Sequence, residues 1–165
     1  VLKAEQGEWL PIFPFCNSYT AAMIGDHCVS FLSDAYAKGV RDFDVEKAYQ
    51  YMRQNAFEQP EDFEDYENGQ GRRALDSYLK YNYIPMEDPV REAFHKQEQV
   101  SRTLEYAYDD FALAQLAKAL GKTDDYKTLM QRAMNYQNVY DPSVGYVRDD
   151  MRMVIGRKLL TRPGK

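Results

Sequence analysis

The sequence predicts an all-α fold, and three observations predict it. Apolar residues recur at i, i+3, i+4 spacing over four long segments. Runs rich in proline, glycine, asparagine and aspartate, which favour turns, separate those segments. No stretch of useful length alternates apolar with polar residues, as a half-buried strand must. The segment 101–121, Ser-Arg-Thr-Leu-Glu-Tyr-Ala-Tyr-Asp-Asp-Phe-Ala-Leu-Ala-Gln-Leu-Ala-Lys-Ala-Leu-Gly, is apolar nearly all round yet carries carboxylates near its start. A helix of that kind belongs inside a structure.

The elements follow in order. Residues 1–15 are punctuated by Pro11 and Pro14 and read as irregular. Asn17 or Ser18 can cap a helix running to about Lys38, which Gly39 ends. Its apolar stripe is Ala21, Ile24, Cys28, Phe31, Leu32 and Ala35. The opposite face carries Tyr19, Met23, Asp26, Ser30, Ser33 and Asp34, with His27 at its margin and no lysine or arginine before Lys38. A solvated face usually mixes both charge signs, so this one suits a polar lumen. Asp44 caps a second helix over 45–57, with Ala48, Tyr51, Met52 and Ala56 inward.

Residues 59–70 are acidic and turn-rich and read as an exposed loop. A short helix over 72–81 carries Leu75, Tyr78 and Leu79, and Tyr83-Ile84-Pro85 breaks it. Residues 86–99 form an irregular connection with room for one helical turn at 90–96. The all-round apolar helix spans 101–120 and is closed by Gly121. Leu104, Tyr108, Phe111 and Ala119 form one of its stripes; Leu113, Leu116 and Leu120 form a second. Thr123 caps a last helix to about Asn138, with Tyr126, Leu129, Met130, Ala133 and Tyr136 at helical spacing. Asp141-Pro142-Ser143-Val144-Gly145 is a turn, residues 146–148 suit one short strand, and 149–165 is a basic tail of no firm period. The helices beginning at 18 and 101 are the least solvated; those beginning at 45 and 123 have clearer polar faces. Inner helices alternating with outer ones are what a toroid of helical hairpins requires.

Composition narrows the function classes. The chain has 165 residues, enough for one domain with a real core, and a formal net charge of −5. It has no basic stripe interleaved with aromatics, so nothing points to nucleic acid. No apolar run is long enough to span a bilayer. Tyr 14, Phe 8 and Trp 1 suit interhelical packing, or a tyrosine-rich groove for a peptide or partner helix. Cys16 and Cys28 allow a disulfide or two thiols, Cys28 falling on the apolar stripe of its helix.

The carboxylates are the candidates for chemistry. Glu105 and Asp109 are four apart and share one side of their helix with Ala112, Leu116 and Leu120. Buried there, each needs a partner, a raised pKa or a cavity with water. Asp26 and His27 are the second candidate pair, as ligand contacts or with His27 donating to a carbonyl in the wall behind it. No cysteine and histidine spacing makes a zinc site, and 61–67 lacks the alternating ligands and central glycine of an EF-hand loop.

Four motifs, in this order, carry a resemblance. They are Met23-Ile24-Gly25-Asp26-His27; Asp34-Ala35-Tyr36-Ala37-Lys38-Gly39-Val40-Arg41-Asp42-Phe43-Asp44; Val100-Ser101-Arg102-Thr103-Leu104-Glu105-Tyr106-Ala107-Tyr108-Asp109-Asp110-Phe111; and Arg132-Ala133-Met134-Asn135-Tyr136-Gln137-Asn138. Together, from about 7 to 148, they resemble glycoside hydrolase family 92, the exo-acting α-mannosidases. The resemblance implies part of an (α/α)6 barrel over 1–148, an incomplete toroid, from an enzyme that also has an N-terminal β-sandwich. It implies calcium-assisted, inverting hydrolysis of terminal α-mannose on mannose-containing glycans, with α-1,2 the expected linkage and a secreted or periplasmic location.

The family's motifs for the general acid, the calcium ligands and the base do not occur in this sequence. No catalytic residue and no bound metal are therefore expected in this chain; Glu105, Asp109, Asp26 and His27 are expected to line the active site. Two positions depart from the family pattern: Asn82 stands where glycine is common, and the match fades after Arg148. An open arc of a barrel exposes apolar flanks, so the chain alone is expected to self-associate and to be inactive. The competing reading is a stand-alone helical interaction module.

Overall fold

The structure, a computed structural model, describes residues 1–148; the basic tail 149–165 lies outside the described residues. The described chain is all-α apart from one small hairpin. Its helices are α1 (Leu2–Gly7), α2 (His27–Ala37), α3 (Val45–Phe57), α4 (Phe63–Glu67), α5 (Leu75–Tyr81), α6 (Gln99–Ala119) and α7 (Thr123–Arg132). A 3-10 segment, Ala133–Val139, continues α7 and leads into β1 (Tyr140–Asp141) and β2 (Tyr146–Val147). The strands pair antiparallel, Tyr140 with Val147 and Asp141 with Tyr146. Among the described residues no helix is long and apolar enough to cross a membrane.

α6 is the hub. It packs against α2, α3, α7 and the 3-10 segment. Its buried residues include Tyr106, Ala107, Leu113, Ala114, Leu116 and Ala117, and also Arg102, Asp109 and Asp110. One core cluster joins Val29, Tyr49, Met52, Leu113, Leu116 and Leu129. A second joins Leu75, Tyr78, Ile84, Val90, Ala93 and Tyr106, with Tyr78 and Tyr106 edge to face at 5.5 Å between ring centres. Both clusters rest on α6.

The cap of α3 is as expected: the Asp44 carboxylate accepts from the Lys47 amide at 3.0 Å. Asn82, at the departure from the family pattern, closes α5 with φ 61°, a left-handed conformation that glycine adopts freely and asparagine tolerates.

Several expectations are corrected. The first long helix begins at His27, not at 18. Cys16 and Asn17 are left-handed at φ 50° and 58°, inside a tight turn bridging Phe15 and Ser18. Beyond it the Tyr19 hydroxyl donates to the Lys3 and Trp9 carbonyls, and the Thr20 hydroxyl to the Phe13 carbonyl. That segment is tied to the N-terminal stretch and cannot coil. α2 turns Val29 and Ser33 inward, and Phe31 is 71% exposed rather than part of the buried stripe. On α6, Tyr108 and Phe111 are likewise exposed. The N-terminal stretch holds the short helix α1, and the 59–70 loop holds α4 and ends on the buried Gln70.

The short third helix starts at Leu75, three residues late, because Ala74 is left-handed at φ 55°. No helical turn forms at 90–96, where Val90 and Glu92 have φ 42° and 55°. After Arg132 the period tightens from 3.6 to 3.0, so Arg132 and Asn135 are buried and Tyr136 turns out. Cys16 and Cys28 are free thiols.

Candidate functional site

The site is built where the segment before α2 crosses the first turns of α6. Three side chains of α6, at i, i+3 and i+7, meet three successive residues of that segment. Arg102 Nη1 donates to the Ile24 carbonyl at 3.1 Å. Glu105 lies against Gly25: a Cβ placed there would sit 2.7 Å from Glu105 Oε2 and 3.2 Å from Glu105 Cβ. Asp109 Oδ2 accepts the Asp26 amide at 2.7 Å. Helical spacing aligns all three on one face. Arg102 also donates to the His95 carbonyl at 3.0 Å, which ties the 86–98 connection to the same turn.

Beneath this lies a charge cluster wholly out of solvent. Asp26, Arg72, Asp109 and Asp110 are each 0% exposed, and Arg132 is 7% exposed. Arg72 Nε donates to Asp26 Oδ2 at 3.0 Å and Arg72 Nη1 to Asp110 Oδ1 at 2.7 Å. Arg132 grips Asp110 through Nε at 2.7 Å and Nη2 at 2.9 Å, the two-pronged geometry guanidinium favours. The Tyr78 hydroxyl donates to Asp110 Oδ2 at 3.1 Å. Asn55 Nδ2 donates to the Leu10 carbonyl at 2.9 Å and faces the Asp26 carboxylate at 3.4 Å. Asp109 Oδ1 is buried without a partner. Burial pushes the Asp109 carboxyl up to about 8, the Asp26 and Asp110 carboxylates acting the same way and Arg72 opposing. Burial raises Asp26 too, against Arg72 and Asn55.

The structure thus brings together all four residues singled out in the sequence, but not in one environment. Asp26 and Asp109 are buried and engaged. Glu105 and His27 are half-buried and keep a route to solvent. His27 Cε1 would lie 3.0 Å from the same added Cβ at Gly25, and the imidazole stands edge-on to Phe13 with ring centres 6.1 Å apart. Arg72, Asp110, Arg132 and Asn55 were not singled out in the sequence. The adjacency of Asp110 to Asp109 in an apolar helix was a usable signal, because two carboxylates there demand cations.

A calcium ion does not fit these residues. Calcium takes six to eight oxygens, and the carboxylate oxygens of this cluster already accept from guanidinium, hydroxyl and amide donors except Asp109 Oδ1; with Asn55 Oδ1, that leaves two buried oxygens without a donor. Among the described residues no group of three or more histidine, cysteine, aspartate or glutamate side chains is disposed to hold a metal.

Comparison with known proteins decides the family. The profile of the glycosyl hydrolase family 92 catalytic domain matches residues 1–153. The chain belongs to this family. A family GH92 alpha-mannosidase of Bacteroides thetaiotaomicron, BT3965, superposes with a TM-score of 0.70 at 39% identity, over 86% of this chain and 17% of that one. The same mannosidase in complex with mannoimidazole gives 0.69 at 35% identity, over 89% and 19%. The GH92 inverting mannosidase BT2199 of that organism gives 0.73 at 30% identity, over 88% and 18%. An uncharacterized secreted glycosidase of Arthroderma benhamiae is 31% identical over 136 residues, which is 80% of this chain. The chain spans 17% of that relative's length. The all-α arrangement is that of part of the family's (α/α) barrel.

Proposed function

We propose that this GH92 segment forms part of the barrel wall of an inverting exo-α-mannosidase, with Gly25–His27 and the first turns of α6 facing the sugar. The observation that carries the reading is likeness to GH92 mannosidases at 30–39% identity over most of the chain. Inversion requires a proton donor for the leaving oxygen and a base for water, set about 6.5–9.5 Å apart. Asp109 cannot be either while it is buried and accepting the Asp26 amide. The donor, the base and the calcium ligands are assigned to residues outside this chain, and the chain by itself is read as inactive. An α-1,2 linkage and a secreted enzyme are the finer parts of the proposal; the latter agrees with the secreted relative.

The test is hydrolysis of 4-nitrophenyl α-mannoside and of an α-1,2-mannobiose by a longer protein that carries this segment. The anomer released is followed by proton NMR, with calcium and after chelation. β-Mannose as first product, loss of rate with chelator and no rate from the 165-residue chain are the expected results. α-Mannose first, or full activity in the short chain, overturns the reading.

A further inference from the structure

We infer that the cleft between α4, α5 and the 86–91 connection is the docking surface for a basic segment of this same chain, residues 157–163, Arg-Lys-Leu-Leu-Thr-Arg-Pro. The leucines and the proline of that segment cover the apolar lining of the cleft, and its cations meet the acidic rim.

The cleft holds about 440 Å³, and no side chain of the buried charge cluster lines it. Phe63, Tyr66, Leu75 and Pro89 are its apolar lining, and Phe63 is 55% exposed. The rings of Phe63 and Tyr66 stand side by side, their centres 6.4 Å apart. Tyr66 is held in place: the buried Arg73 guanidinium stacks on its ring at 4.0 Å, and its hydroxyl accepts the Ala74 amide at 3.4 Å. A preformed wall of aromatic rings and proline suits an extended segment that itself contains proline.

The rim adds charge. Glu61 and Asp76 are exposed there, and their carboxylates make no hydrogen bond or ion pair among the described residues. Asp88 is engaged by the Ser77 hydroxyl and the Val90 amide, and Arg91 is the one described cation of the lining. Asp62, Glu64, Asp65 and Glu67 extend the negative surface along α4.

Three observations select the occupant. The first is charge: residues 149–165 carry five lysines and arginines against two aspartates, so with a formal charge of −5 for the whole chain, residues 1–148 carry −8. The second is route. Val147 and Arg148 share a hollow with Met86, which is two residues from Asp88 and three from Pro89 in the lining of the cleft. Arg148 is fixed there, its amide donating to the Val139 carbonyl at 2.9 Å and its guanidinium pairing with Asp141 at 2.9 Å. The third is length: residues 149–156, extended, span roughly 25 Å, enough to pass from beside Met86 into the cleft.

The experiment uses the 165-residue chain and a carbodiimide, which couples a carboxylate to an amine where the two are in contact, with peptide mass spectrometry to read the coupled pairs. Lys158 coupled to Glu61 or Asp76 is the expected product. An equal mixture of nitrogen-14 and nitrogen-15 chains shows whether coupling is within one chain. The yield is expected to fall about five-fold or more in about 0.5 M salt, and by a similar factor in Glu61→Lys, Asp76→Lys, because exposed ion pairs are screened or reversed. A smaller fall is expected in Phe63→Ser, which removes apolar contact and no charge. A second arm leaves the described fold untouched: in Arg157→Ser, Arg162→Ser, the NMR amide shifts of residues 61–66 and 74–77 are expected to move. Coupling of Lys158 to other carboxylates or to none overturns the inference. So do pairs formed only between chains, which make the occupant a second copy, and amide shifts that stay unchanged.

Discussion

Asp26, Asp109 and Asp110 share two guanidinium groups, Arg72 and Arg132, so one carboxylate in the cluster is in excess. Asp109 takes the consequence: it alone has no arginine bond, and its carboxyl is pushed up to about 8. An acid that titrates near 3.8 unfolded and about 8 folded binds its proton more tightly in the folded state. Its stabilising contribution is complete below the unfolded value and is lost as pH rises through the folded one. Asp26, also raised by burial, acts with the same sign. Asp125, held below the ordinary carboxylate range by Tyr49 and Arg53 in spite of partial burial, acts oppositely, its contribution fading as pH falls.

The urea midpoint is accordingly expected to decline between about pH 5 and about pH 8.5, and Asp109→Asn, which stays neutral and can still accept the Asp26 amide, is expected to flatten that decline. A midpoint that rises over this range would contradict a protonated Asp109. Asp110→Asn is a different case, since it leaves Arg72 and Arg132 buried and short of charge; a loss of about 3–5 kcal/mol is expected from thermal or urea unfolding.

Among the elements, the long helices α3, α6 and α7 were legible from their own apolar spacing, although α7 starts at Thr123 with no side-chain cap, and α2, positioned by distant partners, was not. α3 appears over the expected span because Asp44 and the spacing of Ala48, Met52 and Ala56 are local facts. Asp44→Ala is expected to cost about 1 kcal/mol, read from the unfolding midpoint, with no effect on the charge cluster. α6 was equally legible because its apolar circumference needs no tertiary information to declare it central.

α2 was mis-started because the residues before it look helical by composition but are bound backward, through Tyr19 and Thr20, to the N-terminal stretch. Which face of α2 is inward depends on α6, and helical periodicity cannot see that. The site divides the same way. Glu105 and Asp109 stood out by position on one helix, whereas Arg72 comes from a non-helical stretch 37 residues earlier than Asp109, and only the fold shows that its charge offsets the buried aspartates Asp26, Asp109 and Asp110.

At the scale of the whole chain, the outward faces of the hub pair are too apolar for open water. Phe31 on α2 is 71% exposed, and Tyr108 and Phe111 on α6 are 60% and 44% exposed. In a complete toroid such faces meet neighbouring helices; alone they favour association. Sedimentation velocity of the 165-residue chain is expected to show concentration-dependent species larger than the monomer, reduced in a Phe31→Ser, Phe111→Ser double variant. A concentration-independent monomer would favour the competing reading, a self-contained interaction module.

The charge cluster has one more consequence, for the order in which this polypeptide leaves the ribosome. Asp26 and Arg72 emerge first, but Asp110 and Arg132, which complete the set, follow 38 and 60 residues behind Arg72. Until those residues clear the exit tunnel, the nascent chain cannot seal its ionic interior at a tolerable cost, however good the local helices are. Final compaction must therefore wait until translation has passed Arg132, and a pause before that point would leave a partly folded intermediate with its arginine still wet.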